Sequence, residues 1–223
     1  MKLNFPLLDE PLEFDKTLIL ALEEPEVFSN IAKVLYNYNV EGNLKLVFDD
    51  FSPVKESQLM LIPDVLSYNI NTPSNLKLIY SDLEKQFNEK QDLKAKLEVL
   101  ASEIANIISG ECLENELNLE YDEITLLELI KAMGVKVETS CASIYEKCYE
   151  IVRIFQYLSK KKLLVFINVG SYLTEIQFEK LLEYVELSSV TALFLEPRKL
   201  YNFPQYILDN DYYLNRWRIS EES

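Results

Sequence analysis

Two short runs, Leu163–Val169 and Val190–Leu195, are apolar at nearly every position. A strand with one face in water alternates apolar and polar side chains. A run apolar throughout must be covered on both faces, as happens in parallel sheets sandwiched by helices. The residues between the two runs meet that need, because Thr174 and Gln177 form a capping box opening a helix that reaches to about Glu186. Strand, helix and strand then make a crossover unit, which in a parallel sheet is right-handed.

The start of the chain reads similarly. Strand-length apolar runs at Leu3–Leu7, Thr17–Leu22 and Leu44–Phe48, with an amphipathic stretch from Glu26 to Tyr38, predict a strand followed by a βαβ unit. A further strand is expected from Gln58 to Ile62, stopped by Pro63. At Thr72-Pro73 the character changes: an N-cap and a proline at the first helical position open a stretch rich in Leu, Lys and Glu. Leu76, Ile79, Leu83 and Phe87 repeat at helical spacing, and after a polar break at Asn88–Asp92 the period resumes at Leu93, Leu97, Leu100, Ile104 and Ile107, up to Gly110. Ser143 and Glu146 then cap a helix whose stripe is Ile144, Cys148, Ile151, Phe155 and Leu158. The expected organisation is an α/β head of residues 1–71 and 148–223 and a mainly helical insertion of residues 72–147, with the tail from Asn210 held less tightly.

Composition excludes several chemistries. The 223 residues contain no histidine, which removes every Ser-His, Cys-His and His-metal constellation. Cys112, Cys141 and Cys148 lack metal-site spacing and fit reduced thiols packed as small hydrophobes. With neither a signal-peptide pattern nor an apolar run of membrane-spanning length, a cytoplasmic protein with no membrane partner is expected. The four glycines, Gly42, Gly110, Gly134 and Gly170, are too scattered for a phosphate-cradling loop, and Asn168 stands where a magnesium-binding strand would end in Asp. No nucleotide is expected to bind.

The segment from Glu116 to Asp122 alternates oxygen-bearing side chains with Leu117, Leu119 and Tyr121. Extended, it would set Glu116, Asn118, Glu120 and Asp122 on one face, the kind of oxygen a hard cation takes. Alternate residues of a strand stand about 6.6 Å apart, whereas two oxygens on one calcium lie within about 5 Å. The segment must therefore bend or hold more than one ion, and a solvated acidic connection is the competing reading. Thr125 and Glu128 form a capping box for a helix over Leu126–Met133, which gives Glu128 a structural role that competes with metal ligation. Gly134 ends that helix, and Lys131 and Lys136 beside it either complement its dipole or remain solvated.

Longer motifs carry a resemblance. Residues 111–139, 160–168, 193–198 and 203–209, together with 3–11 and 82–90, closely resemble the type II-A CRISPR-associated adaptation protein family, the small "Csn-two" family. The resemblance implies an ATPase-like α/β head with a degenerate P-loop, built on a parallel sheet, and an inserted α-helical leg. It implies a ring-shaped homotetramer, stabilised by Ca²⁺, that binds double-stranded DNA ends without sequence preference. It also implies work beside the CRISPR adaptation integrase and the RNA-guided nuclease in spacer acquisition, without catalysis. On that resemblance the calcium ligands are Glu120, Asp122, Glu123 and Glu128, then Glu116, with Asn118 standing where relatives often carry Asp. The DNA-binding role falls to Lys131 and Lys136, with Lys160, Lys161 and Lys162 next. A net charge of −15 opposes binding to phosphates, so any DNA path requires a local basic lining or bound cations. The alternatives are an inactive scaffold that binds only other adaptation proteins and, more weakly, a metal-dependent nuclease using the acidic cluster.

Overall fold

The computed structural model describes residues 1–117, 119–139, 141–158 and 160–217. Two compact units are present, one formed by Met1–Asn69 with Thr139–Ser223 and the other by Ile70–Glu138. The helical unit thus ends at Glu138, where the sequence suggested 147.

The first unit contains β1 (Lys2–Asn4), β2 (Leu12–Glu13), β3 (Thr17–Leu22), α1 (Pro25–Tyr36), β4 (Lys45–Val47) and β5 (Leu59–Ile62). The second unit contributes α2 (Pro73–Glu89), α3 (Gln91–Glu114) and α4 (Leu126–Ala132). The chain then returns to the first unit through α5 (Ile144–Tyr157), β6 (Leu163–Ile167), α6 (Glu175–Leu187), β7 (Ala192–Glu196), β8 (Gln205–Leu208) and β9 (Leu214–Trp217).

The main sheet has the order β5-β6-β7-β3-β8-β9, parallel throughout except for the antiparallel pair β8–β9. Its centre consists of the most continuously apolar strands: β7 is buried at every position, β6 at its first four and β3 at all but Thr17. Successive side chains of these strands enter two different cores. On one face Leu18, Leu20 and Leu22 of β3, Val165 of β6, and Leu193 and Leu195 of β7 join one cluster with Val27, Ile31 and Leu35 of α1. The alternate residues Phe166 and Phe194 stack at 5.3 Å between ring centres, and Phe178 of α6 meets Phe194 edge-on at 5.2 Å. Tyr149 of α5 stacks on Tyr184 of α6 at 4.3 Å and donates its hydroxyl to the Lys180 carbonyl, joining the two helices.

The expected opening βαβ unit is corrected. The strand expected within Leu44–Phe48 is β4, and it leaves the main sheet to pair antiparallel with β1 in a small sheet of order β2-β1-β4. β1 is itself Lys2–Asn4, earlier and shorter than Leu3–Leu7. The reason is in the alternation: Lys45 is exposed and Leu46 buried, so β4 has only one apolar face. The place beside β3 goes to β8, whose Ile207 pairs with Ala21. The tail expected to be loosely held carries β9, with Leu208 opposite Leu214 and Gln205 opposite Trp217.

In the second unit, Thr72 Oγ1 accepts the Asn75 N–H at 3.2 Å and Pro73 opens α2. The polar break narrows to Lys90, and α3 runs through Gly110 to Glu114. α2 is tied to the chain after α4: the Tyr80 hydroxyl donates to the Val135 carbonyl at 2.8 Å, and the Asn71 amide makes two 2.9 Å hydrogen bonds with the Val137 backbone. α3 buries none of its residues, and Leu93, Leu100, Ile104 and Ile107 of its stripe are exposed.

Candidate functional site

The acidic segment is not a strand. From Asn115 to Leu117 the chain bends, and residues 119–125 have no regular structure. Glu116, Glu120, Asp122 and Glu123 are exposed, and Asn118 lies outside the described residues. Among the described residues no group of three or more Asp, Glu or Cys side chains is arranged to hold a metal ion. A calcium ion takes six to eight oxygens, so the carboxylates as placed do not form a coordination shell within one chain. Glu123 stands apart from Glu120 and Asp122 in the cleft it lines: a space of about 530 Å³ bordered also by Glu84, Asn88, Thr125 and the Lys94–Glu98 pair of α3.

Glu128 is engaged at the head of α4. Its Oε2 accepts the Thr125 N–H at 2.8 Å and the Thr125 hydroxyl at 2.6 Å, while the Glu128 N–H donates back to Thr125 Oγ1 at 3.2 Å. The Thr125 hydroxyl, then the Thr125 backbone, hold its carboxyl below the usual range. An ionised Glu128 is therefore already used as the cap that satisfies the free N–H groups of a helix terminus.

The lysines divide between the units. Lys131, in the last turn of α4, and Lys136, two residues after Gly134, are exposed. Gly134 has φ +64 and its N–H donates to the Lys131 carbonyl, the left-handed geometry that ends a helix. Lys160 and Lys162 are exposed in the first unit. Lys161 has a different job: it is partly buried, its Nζ donates to the Leu59 carbonyl of β5 at 2.7 Å, and burial lowers its pKa.

Where an α/β sheet presents ligands, at the carboxyl ends of its strands, β6 runs into Asn168 with a left-handed backbone (φ 54) and a tight turn over Val169–Tyr172. No side chain of that turn is basic. Instead Glu196, at the end of β7 and fully buried, accepts the Gly170 N–H on Oε1 at 3.0 Å. Burial raises its pKa to about 7 against these backbone hydrogen bonds. Reading by motif overlooked Glu196; the signal was a carboxylate closing the otherwise apolar strand Leu193-Phe194-Leu195.

Residues 37–212 match the family described as CRISPR-associated protein (Cas_Csn2). The CRISPR-associated protein Csn2 of Streptococcus agalactiae is 52% identical over 214 residues, 96% of this chain and 97% of that protein. The protein of the same description from Enterococcus faecalis is 43% identical over 215 residues, 96% of this chain and 98% of that protein. The crystal structure of Stu0660 of Streptococcus thermophilus resembles the fold with a TM-score of 0.64 at 15% identity, covering 97% of this chain and 76% of that one. With most of its length matched by the family and by relatives of its own size, the chain belongs to the CRISPR-associated Csn2 family.

Proposed function

We propose that this chain is a non-catalytic DNA-end clamp for CRISPR spacer acquisition: a calcium-stabilised homotetrameric ring that holds double-stranded DNA without reading its sequence and takes no nucleotide. Its partners in this reading are the adaptation integrase proteins and the RNA-guided nuclease, and it works in the cytoplasm. Among the described residues no helix is long and apolar enough to cross a membrane.

The observation that carries the reading is α3. A helix of 24 residues that buries none of them, with an exposed apolar stripe at Leu93, Leu100, Ile104 and Ile107, has its packing partner outside the single chain. Apolar positions three and four apart make the seam of a helix pair, and burying that seam against other copies is what an assembled ring supplies. Beside it, Glu116, Glu120, Asp122 and Glu123 form none of the ion pairs among the described residues. Calcium binding there requires the segment to close around the ion, since its carboxylates do not converge in one chain. Lys131 and Lys136 are the proposed phosphate-binding residues, with Lys160 and Lys162 next; Lys161, bonded to Leu59, acts through the fold.

A gel shift on short linear duplex, run with calcium and with chelator and paired with sizing of the protein, tests this. Retarded duplex and a tetramer in calcium, both lost in chelator, are expected. A calcium-independent assembly that retards no duplex would leave a scaffold for protein partners only.

A further inference from the structure

Asn168 is left-handed and Val169 begins a right-handed turn. That succession points neighbouring N–H groups into one concavity, a geometry that suits an anion. The occupant belongs to the chain itself. Gly170 donates to Glu196 Oε1 at 3.0 Å. The other oxygen, Oε2, is buried with no hydrogen-bond partner among the described residues. It lies beneath Gly170, where a Cβ would come within 3.1 Å of it, and Leu200, only 3% exposed, closes the same space.

The two oxygens thus pull in opposite directions. Oε1, facing the Gly170 N–H, rewards negative charge; Oε2, buried and without a protein partner among the described residues, penalises it, since a buried charge without a partner is costly. Few other charges intervene. The flanking strands β3 and β6 carry no ionisable side chain, and the turn contributes only Tyr172. On the packed helix, α6 carries Glu175, Glu179, Lys180, Glu183, Tyr184 and Glu186, none of which forms a hydrogen bond or ion pair with Glu196 among the described residues. Arg198 lowers the pKa weakly from its own segment, its guanidinium lying 3.4 Å from the Ser171 hydroxyl.

We propose that Glu196 is a proton-operated latch on the turn between β6 and α6: neutral, it pins Gly170 to the end of β7; ionised, it loosens the turn. The direction follows from linkage. With a folded pKa raised from 4.5 to about 7, the contribution of Glu196 is fully present below 4.5 and is lost as pH rises to about 7. Within that window the folded chain holds a proton that the unfolded chain releases. The turn at the carboxyl ends of β6 and β7 is therefore most firmly closed in mild acid.

Two measurements on the full-length protein test the latch. The Glu196 carboxyl carbon, assigned by comparison with Glu196→Gln, is followed by NMR from about pH 4 to 9. Amide exchange of the peptide spanning residues 168–172 is followed over the same range and corrected for intrinsic rates. The expected results are titration near neutrality, protection falling at least roughly tenfold across the window, and flat protection in Glu196→Gln. A carboxyl titrating in the ordinary range, or wild-type protection that does not change with pH, overturns the proposal. If the Gln variant does not fold, the wild-type exchange curve of residues 168–172 alone decides.

Discussion

Replacing Gly170 with Ala adds one methyl group at a point where the interior has no room for it. An ideal Cβ there lies 2.6 Å from both δ carbons of Leu200 and 3.1 Å from Glu196 Oε2. Carbon atoms in contact sit about 3.5–4.0 Å apart, so the overlap with Leu200 is roughly 1 Å. Leu200 is 3% exposed and cannot swing into water. Overpacking of this kind costs about 1–3 kcal/mol. The backbone of Gly170 is not left-handed, so Ala pays no conformational penalty and recovers about 0.4–1 kcal/mol through the unfolded state. The expected net loss is about 1–2 kcal/mol, or a Tm lower by about 2–8 °C for a chain of this size. Leu200→Ala alone is expected to cost about 2–5 kcal/mol by opening a cavity. In the double variant that cavity receives the new methyl group. Urea denaturation of the wild type, both single variants and the double variant gives the cycle. The double variant should be less destabilised than the sum of the singles by about 1 kcal/mol or more. Additivity within about 0.5 kcal/mol, or a Gly170→Ala protein as stable as the wild type, would refute the steric argument.

Lys131→Ala with Lys136→Ala should weaken linear duplex binding equally across base sequences and flatten the dependence of log affinity on log salt by about 0.9 for every phosphate that is no longer neutralised; an unchanged slope moves the phosphate-binding surface to Lys160 and Lys162. Calcium is expected to raise the Tm of the wild type and not that of Glu120→Ala with Asp122→Ala; a full thermal shift in that variant excludes this segment as the ion site. Thr125→Ala should lower stability by about 1 kcal/mol with and without calcium, because it removes a helix cap; a loss seen only with calcium would mean that the cap serves the metal. Leu100→Glu with Ile104→Glu should leave helix content by circular dichroism intact and shift the proposed assembly to smaller species in sedimentation; an assembly undisturbed by the change would place the seam off α3.

Local chemistry was legible along the whole chain. Thr72-Pro73, Thr125 with Glu128 and Thr174 with Gln177 marked their helix starts because a cap is decided within four residues. The Ser143 cap was read only in part: its hydroxyl accepts the Glu146 N–H, but the Glu146 carboxylate turns to the Ala142 N–H. The runs of β3, β6 and β7 announced a buried parallel sheet because strands apolar on both faces have no other stable place. Long motifs carried the family, which needs only residue identity in order. The amino-acid order alone could not say which strands are neighbours. β8 lies between β3 and β9 and β4 pairs with β1, choices made by which apolar faces remain uncovered once the rest of the chain has packed. The acidic run offered a row of oxygens only if extended, and the strand spacing of about 6.6 Å already required it to bend or to hold more than one ion. The backbone there bends, Glu128 turns back to cap α4, and carboxylates close in sequence do not converge. Glu196 was marked in the sequence only as a carboxylate closing an apolar run. Nothing in that carboxylate by itself reveals that Gly170, 26 residues away, donates a backbone hydrogen bond to it or that its second oxygen is buried without a partner among the described residues. Burial and hydrogen-bond partnership are properties of what surrounds a residue, and only the tertiary structure supplies the surroundings.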